Sequence, residues 1–190
     1  MEELKRLVRE EGQNLGNGIL KVDGFINHQI DPLLMRRAGE ELARRFAGKG
    51  VTKIFTAEIS GIAPALAAGL ALEVPVVFAR KRKPVTMTEP VYVESAPSHT
   101  KGVEVLLMAS PEYLKPEDRI LVVDDFLASG HTLAALVRLV EKAHATLVGI
   151  GVLIEKEFEG GREALSTLDV PIESLVTIAA MEDDRIILAE

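Results

Sequence analysis

Short apolar runs alternate with helix-forming stretches along this chain, and that alternation limits its fold more than any other feature. Lys53–Ala57, Val76–Ala79 and residues 120–123 and 147–154 each read as a buried strand, bounded by turn residues. Ile62–Leu72 is an Ala-rich helical stretch, and Leu133, Leu136, Val137 and Val140 recur at helical spacing. Ahead of the first strand, Asp31 and Pro32 supply an N-cap and a proline at the first helical position. Leu34, Ala38, Leu42 and Phe46 then share one face until Gly48 and Gly50 end the helix. Residues 1–12 read as another helix, with Leu4, Leu7 and Val8 on one side, and 19–30 as irregular or short-stranded. Residues 92–94 and 103–108 are expected to pair antiparallel around the polar segment 95–102. The pattern predicts an α/β fold, a mainly parallel twisted sheet flanked by helices. With 190 residues and neither an internal repeat nor a low-complexity linker, a single domain over 1–190 is expected.

Composition narrows the function. There is no cysteine, which removes disulfides, thiolate nucleophiles and Cys-based zinc sites. The four histidines, His28, His99, His131 and His144, are too scattered to suggest a metal site. A net charge of −7 argues against a nucleic-acid partner. The N-terminus lacks the apolar core of a signal peptide, and the run 149–154 is closed by Glu155 and Lys156, too soon to span a membrane. A cytoplasmic protein is expected. One basic run, Arg80-Lys81-Arg82-Lys83, stands out in an acidic chain and reads either as a solvated loop or as an anion site.

In parallel sheets, ligands sit outside the carboxyl ends of the strands. That rule selects the loops 58–61, 80–102, 124–132 and 155–161. The third is the informative one. An apolar strand leads into Asp124 and Asp125, then a small-residue turn and a helix start at His131 and Thr132. A phosphate at such a turn meets unpaired N–H groups and the positive end of the helix dipole. Gly130 permits close backbone approach, and Ser129 and Thr132 add hydroxyl donors. Two acids beside an anion site make sense if they accept hydrogen bonds from the hydroxyls of a ribose whose 5′-phosphate occupies the turn. The segment is neither a Walker A loop nor a GxGxxG fingerprint.

Residues 122–132 resemble the 5-phosphoribosyl-1-diphosphate (PRPP) signature of the type I phosphoribosyltransferases, with Ser129 where Thr is usual and His131 where a second Gly is usual. The resemblance covers nearly the whole chain and is closest to members that take xanthine. It rests also on residues 20–29 (LKVDGFINHQ), 58–63 (EISGIA) and 154–156 (IEK). It implies that residues 1–30 contribute a hood over the base, with Leu20, Asn27 and Lys156 as base contacts. Ala128, Ser129, Gly130, His131 and Thr132 would hold the PRPP phosphate. Ser60, Gly61 and Lys81 would face the diphosphate, and Asp124 and Asp125 the ribose. It further implies a homodimer and PRPP supplied as its Mg²⁺ complex, with no metal held by the protein alone.

The implied reaction displaces diphosphate from ribose C1 by a purine nitrogen through an oxocarbenium-like state. The protein must orient two substrates, stabilise the leaving group and exclude water. The segment 83–101, polar and carrying Pro84, Pro90 and Pro97, is expected to act as a lid. Two alternatives remain at this level: preference for adenine or for hypoxanthine and guanine, and a regulatory module that binds PRPP without turnover.

Overall fold

The computed structural model describes residues 1–97, 104–183 and 185–189. In chain order these form α1 (Glu2–Glu10), β1 (Gln13–Asn14), β2 (Leu20–Lys21), α2 (Pro32–Arg45), β3 (Lys53–Ala57), α3 (Ile62–Leu72) and β4 (Val76–Ala79). There follow β5 (Tyr92–Pro97), β6 (Glu104–Ala109), β7 (Arg119–Leu127), α4 (His131–Lys142), β8 (Thr146–Lys156), α5 (Gly161–Ala164), β9 (Ile172–Glu182) and β10 (Arg185–Leu188). The central sheet has the order β10-β9-β8-β7-β3-β4, parallel throughout except for β10, which runs antiparallel to β9.

Side-chain alternation along the strands sorts the core into two layers. Ile54, Leu121 and Val123 pack towards α1, α2 and α3 with Leu4, Leu34, Leu42 and Phe46. Phe55, Ile120 and Val122 face the opposite side, with Leu133, Leu136 and Val140 of α4 and Leu107 of β6. Asp31 caps α2 as expected, its Oδ1 accepting from Leu33 N and Leu34 N at 2.9 and 3.0 Å. Ala38, Leu42 and Phe46 are buried along its inner face. Gly149 and Gly151 of β8 lie under Phe46 and Leu42, where a Cβ would meet ring and methyl atoms at 2.3 and 3.0 Å.

Several expectations need correction. The strand that begins at 120 runs on to Leu127, so Asp124 and Asp125 belong to β7 and the turn proper is only Ala128-Ser129-Gly130. Likewise β8 carries Glu155 and Lys156, because backbone pairing to β7 and β9 continues to them. Residues 19–30 contain β2 and then a wide helical turn, Asp23–Asn27, whose Phe25 and Ile26 are buried. The pairing of residues 92–94 with the following strand is present and extends to Pro97↔Glu104. Strands β9 and β10 were not anticipated. The tip of the expected lid, residues 98–101, with His99, lies outside the described residues, as does Val103.

The β5–β6 hairpin is fixed at two places. Arg80 and Met108 exchange backbone hydrogen bonds of 2.8 and 2.9 Å, joining the hairpin to the loop after β4. Glu94 is paired with Arg138 and Lys142 of α4 at 2.6 and 2.7 Å. Those two cations hold the Glu94 carboxyl below its ordinary value despite partial burial.

Candidate active site

A cavity of about 570 Å³ opens at the carboxyl ends of β3, β7 and β8, where the parallel-sheet rule places it. It brings together Leu20, Ser60, Lys81, Asp124, Asp125, Ala128, Ser129, Gly130, His131, Thr132 and Lys156. Asn27 is not among its lining residues; it ends the Asp23–Asn27 turn on the exposed side, opposite buried Phe25 and Ile26. Gly61 also does not line the cavity but lies behind it. A Cβ at Gly61 would meet Thr56 Oγ1 at 2.3 Å and Asp124 Oδ1 at 2.4 Å, so only glycine lets the 58–61 loop close against the acid.

Adjacent residues of a regular strand point to opposite faces, yet Asp124 and Asp125 line one cavity. The core layers show why. Leu121 and Val123 pack on the α2 side and Ile120 and Val122 on the α4 side. Further along, Phe126 packs on the α2 side and Leu127 on the α4 side, the reverse of what strict alternation from Val123 would give. The layer each side chain enters therefore changes across the acid pair, while pairing with β8 keeps one register from Leu121 to Leu127, so no residue is inserted there. Both acids are buried, and Asp124 Oδ1 accepts from Asp125 N at 3.0 Å. Burial first, and the neighbouring Asp125 second, push the Asp124 carboxyl well above its ordinary value; Lys81 works the other way.

The turn after β7 has a single positive-φ residue, Gly130 at +81°, followed directly by α4. His131 has no such requirement, which is why a side chain is tolerated there. No side chain caps the first turn of α4, so its leading N–H groups face the cavity end of the helix dipole. Ser129 Oγ lies 3.0 Å from His131 Nδ1. Of the basic run, Lys81 alone lines the cavity. Its backbone N donates to Glu58 Oε1 at 2.6 Å. Arg80 Nε is 2.8 Å from Glu58 Oε2, off the hydrogen-bond direction, with its guanidinium over the Phe78 ring. Lys83 is paired with Glu89.

At the far end, Lys156 Nζ lies 5.5 Å from the centroid of the Phe126 ring and donates to Gly18 O at 2.6 Å and Glu159 Oε1 at 3.0 Å. The wall there is completed by Asn17, Gly18 and Ile19 of the β1–β2 turn, which sequence reasoning passed over. Asn17-Gly18 is a strong short-range hairpin signal and could have located it. Phe126 was also missed, whereas Glu58 and the buried Glu155 were named only as parts of the segments 58–63 and 154–156. Arg162 donates to Glu155 Oε1 and Oε2 at 2.8 and 2.6 Å, and Ser174 Oγ to Oε2 at 2.5 Å. These hydrogen bonds outweigh burial and keep the Glu155 carboxyl below its usual value. Among the described residues, no group of three or more His, Cys, Asp or Glu could hold a metal ion, and no helix is long and apolar enough to cross a membrane.

Residues 41–172 match the model of the phosphoribosyl transferase domain, and the chain belongs to that family. It is similar to the xanthine phosphoribosyltransferase of Moorella thermoacetica, with 49% identity over 98% of this chain and 95% of the relative. It is 47% identical to that of Listeria monocytogenes, over 100% of this chain and 99% of the relative, and 50% identical to that of Bacillus licheniformis, over 98% and 96%. Among solved structures, the adenine phosphoribosyltransferase of Rhodothermus marinus superposes with a TM-score of 0.74 and 26% identity, covering 93% of this chain and 99% of that one. That of Thermoanaerobacter pseudethanolicus, at 23% identity and TM-score 0.74 over 93% and 98%, shows the same fold.

Proposed function

We propose that this chain transfers the 5-phosphoribosyl group of PRPP to N9 of xanthine, forming xanthosine 5′-monophosphate and releasing diphosphate. The observation that carries the reading is one juxtaposition. A single cavity holds the turn 128–132 and the acid pair at one end and a lysine over an aromatic ring at the other. The near-full-length likeness to curated xanthine phosphoribosyltransferases supports the choice of base.

In this reading the backbone of Ala128, Ser129, Gly130, His131 and Thr132 holds the 5′-phosphate, and Asp124 and Asp125 accept from the ribose hydroxyls. Ser60 and Lys81 face the diphosphate, with Gly61 letting their loop pack closely. The C1–oxygen bond to diphosphate breaks as the C1–N9 bond forms, and the proton lost from N9 is taken up by the departing diphosphate. Leu20 and Phe126 flank the purine, Lys156 donates to an oxygen of its six-membered ring, and Asn27 is the further polar contact to the base. Two acids together with substrate phosphate oxygens are a donor set that suits Mg²⁺, so the ion would arrive on PRPP and be met by Asp124 and Asp125. When bound, it would neutralise charge on the leaving diphosphate. The β5–β6 hairpin and the loop before it would limit water entry.

We also place the enzyme in the cytoplasm as a homodimer. Leu66 and Leu70, 57% and 75% exposed on α3, border an apolar depression with Ile30 and Met35, a surface suited to a second copy. A Leu70→Glu variant run on a sizing column beside the parent would separate monomer from dimer. The activity itself is tested by base-dependent diphosphate release with xanthine, hypoxanthine, guanine and adenine. Xanthine should give the highest kcat/KM; a preference for adenine would overturn the base assignment, and no release with any base would leave only PRPP binding.

A further inference from the structure

Lys156 is not an unoccupied cation waiting for substrate. Its side chain is 11% exposed, and two of its three ammonium donors are already committed, to Gly18 O and to Glu159 Oε1. The same Glu159 oxygen would lie 3.2 Å from a Cβ at Gly18, so the carboxylate is wedged between the β1–β2 turn and the lysine. Glu159 itself is 12% exposed and stands behind Lys156, outside the residues that line the cavity. The nearby Glu155 and Arg162 are closed on one another and contribute no net charge.

We infer that Glu159 is a specificity-determining positioning residue for the base. It aims Lys156 so that one N–H reads an oxygen of a neutral purine, and its negative charge, next to that N–H, disfavours the ionised base. This rests on the reading of Lys156 as the base contact. Xanthine ionises more readily than hypoxanthine or guanine, so Glu159 sets how much of the xanthine pool the site accepts at mildly alkaline pH.

The test compares kcat/KM for xanthine and hypoxanthine in the parent, Glu159→Gln and Glu159→Asp at a pH where xanthine is largely ionised and hypoxanthine neutral. Gln keeps the oxygen that receives Lys156 and removes the charge. The xanthine-to-hypoxanthine ratio should rise on the order of tenfold in Glu159→Gln, the scale of one nearby charge at a partly screened site. The gain should lie in KM for xanthine, with KM for PRPP unchanged, and Glu159→Asp should return the ratio towards the parent value. An unchanged ratio, or an equal change for both bases, overturns the inference while the transferase reading stands. A parent enzyme that does not use xanthine overturns both and is seen before any variant is measured.

Discussion

Gly130 and Gly161 lie back to back: a Cβ at Gly130 would sit 3.0 Å from the carbonyl oxygen of Gly161, and one at Gly161 only 2.8 Å from the amide nitrogen of Gly130. The turn 128–130 therefore rests on the start of α5, and its shape is set from behind as well as by its own sequence.

Gly161→Ala should displace the turn, because its methyl group would also meet Ala128 O at 2.1 Å. Overpacking of this kind costs about 1–3 kcal/mol. The expected result is a lower Tm together with a KM for PRPP raised roughly tenfold or more, since about 1.4 kcal/mol of misplaced binding is a factor of ten. Gly160→Ala is the control. It has open space around it but a φ of +73°, so it should cost roughly 1 kcal/mol of stability and leave KM for PRPP unchanged.

Removing Arg162 should strand a buried carboxylate. Glu155 is 2% exposed, and Arg162→Leu leaves it with Ser174 Oγ alone. Breaking a buried pair typically costs several kcal/mol, but half of the Arg162 side chain is in water, so about 2 kcal/mol is expected by denaturant titration. The folded-state Glu155 carboxyl is depressed below its ordinary 4.5. Its contribution is thus fully present above that value and is lost as pH falls through the folded one. In Arg162→Leu this acid-side loss should shrink, and an unchanged slope of stability against pH below 4.5 would count against it.

Asp124→Asn should stabilise the fold and cripple the enzyme. The folded chain holds the Asp124 proton more tightly than the unfolded chain does, so stability declines as pH climbs from the ordinary 3.8 towards the raised value. Asparagine carries no charge to bury and no repulsion from Asp125. A gain of roughly 1 kcal/mol at neutral pH is expected, with PRPP binding weakened by at least tenfold in calorimetry. A variant no more stable than the parent would show that the buried acid costs the fold nothing.

Lys156→Met should alter the choice of base. It keeps most of the side-chain volume but removes the charge and the contacts to Gly18 and Glu159. Losing one side of a buried charge-assisted contact typically costs about 2–5 kcal/mol, falling chiefly on xanthine in steady-state kcat/KM. A uniform drop over all four bases would assign Lys156 to holding the β1–β2 turn instead.

Much of this was legible from local pattern. Lys53–Ala57, Val76–Ala79 and the Asp31 cap follow from apolar runs and end signals, and these need no tertiary information. β9 was not legible because Glu173, Ser174 and Thr177 interrupt its apolar residues, and only pairing with β8 makes it a strand. The turn 128–130 and the acid pair could be read from charge and glycine placement, and Lys156 and Leu20 through family likeness. The Glu155–Arg162 pair and the Gly61–Asp124 approach could not, since each depends on how separate elements come to rest against one another. Asn27, like Lys156, was reached through family likeness; local pattern shows only that it ends a turn whose Phe25 and Ile26 are buried.

The acid pair sits on a stretch of β7 that holds one register against β8 from Leu121 to Leu127, so its placement depends on chain length as well as on side-chain identity. Deleting or inserting one residue there would shift everything beyond it by one place against β8 and exchange the layers that Phe126 and Leu127 enter. Side-chain identity counts too, because Gly61 and the Asp125 amide close directly against the buried Asp124 carboxyl. A redesign that places different polar groups here is therefore limited at residue 124 to side chains no larger than Asp, with the count from 123 to 126 kept.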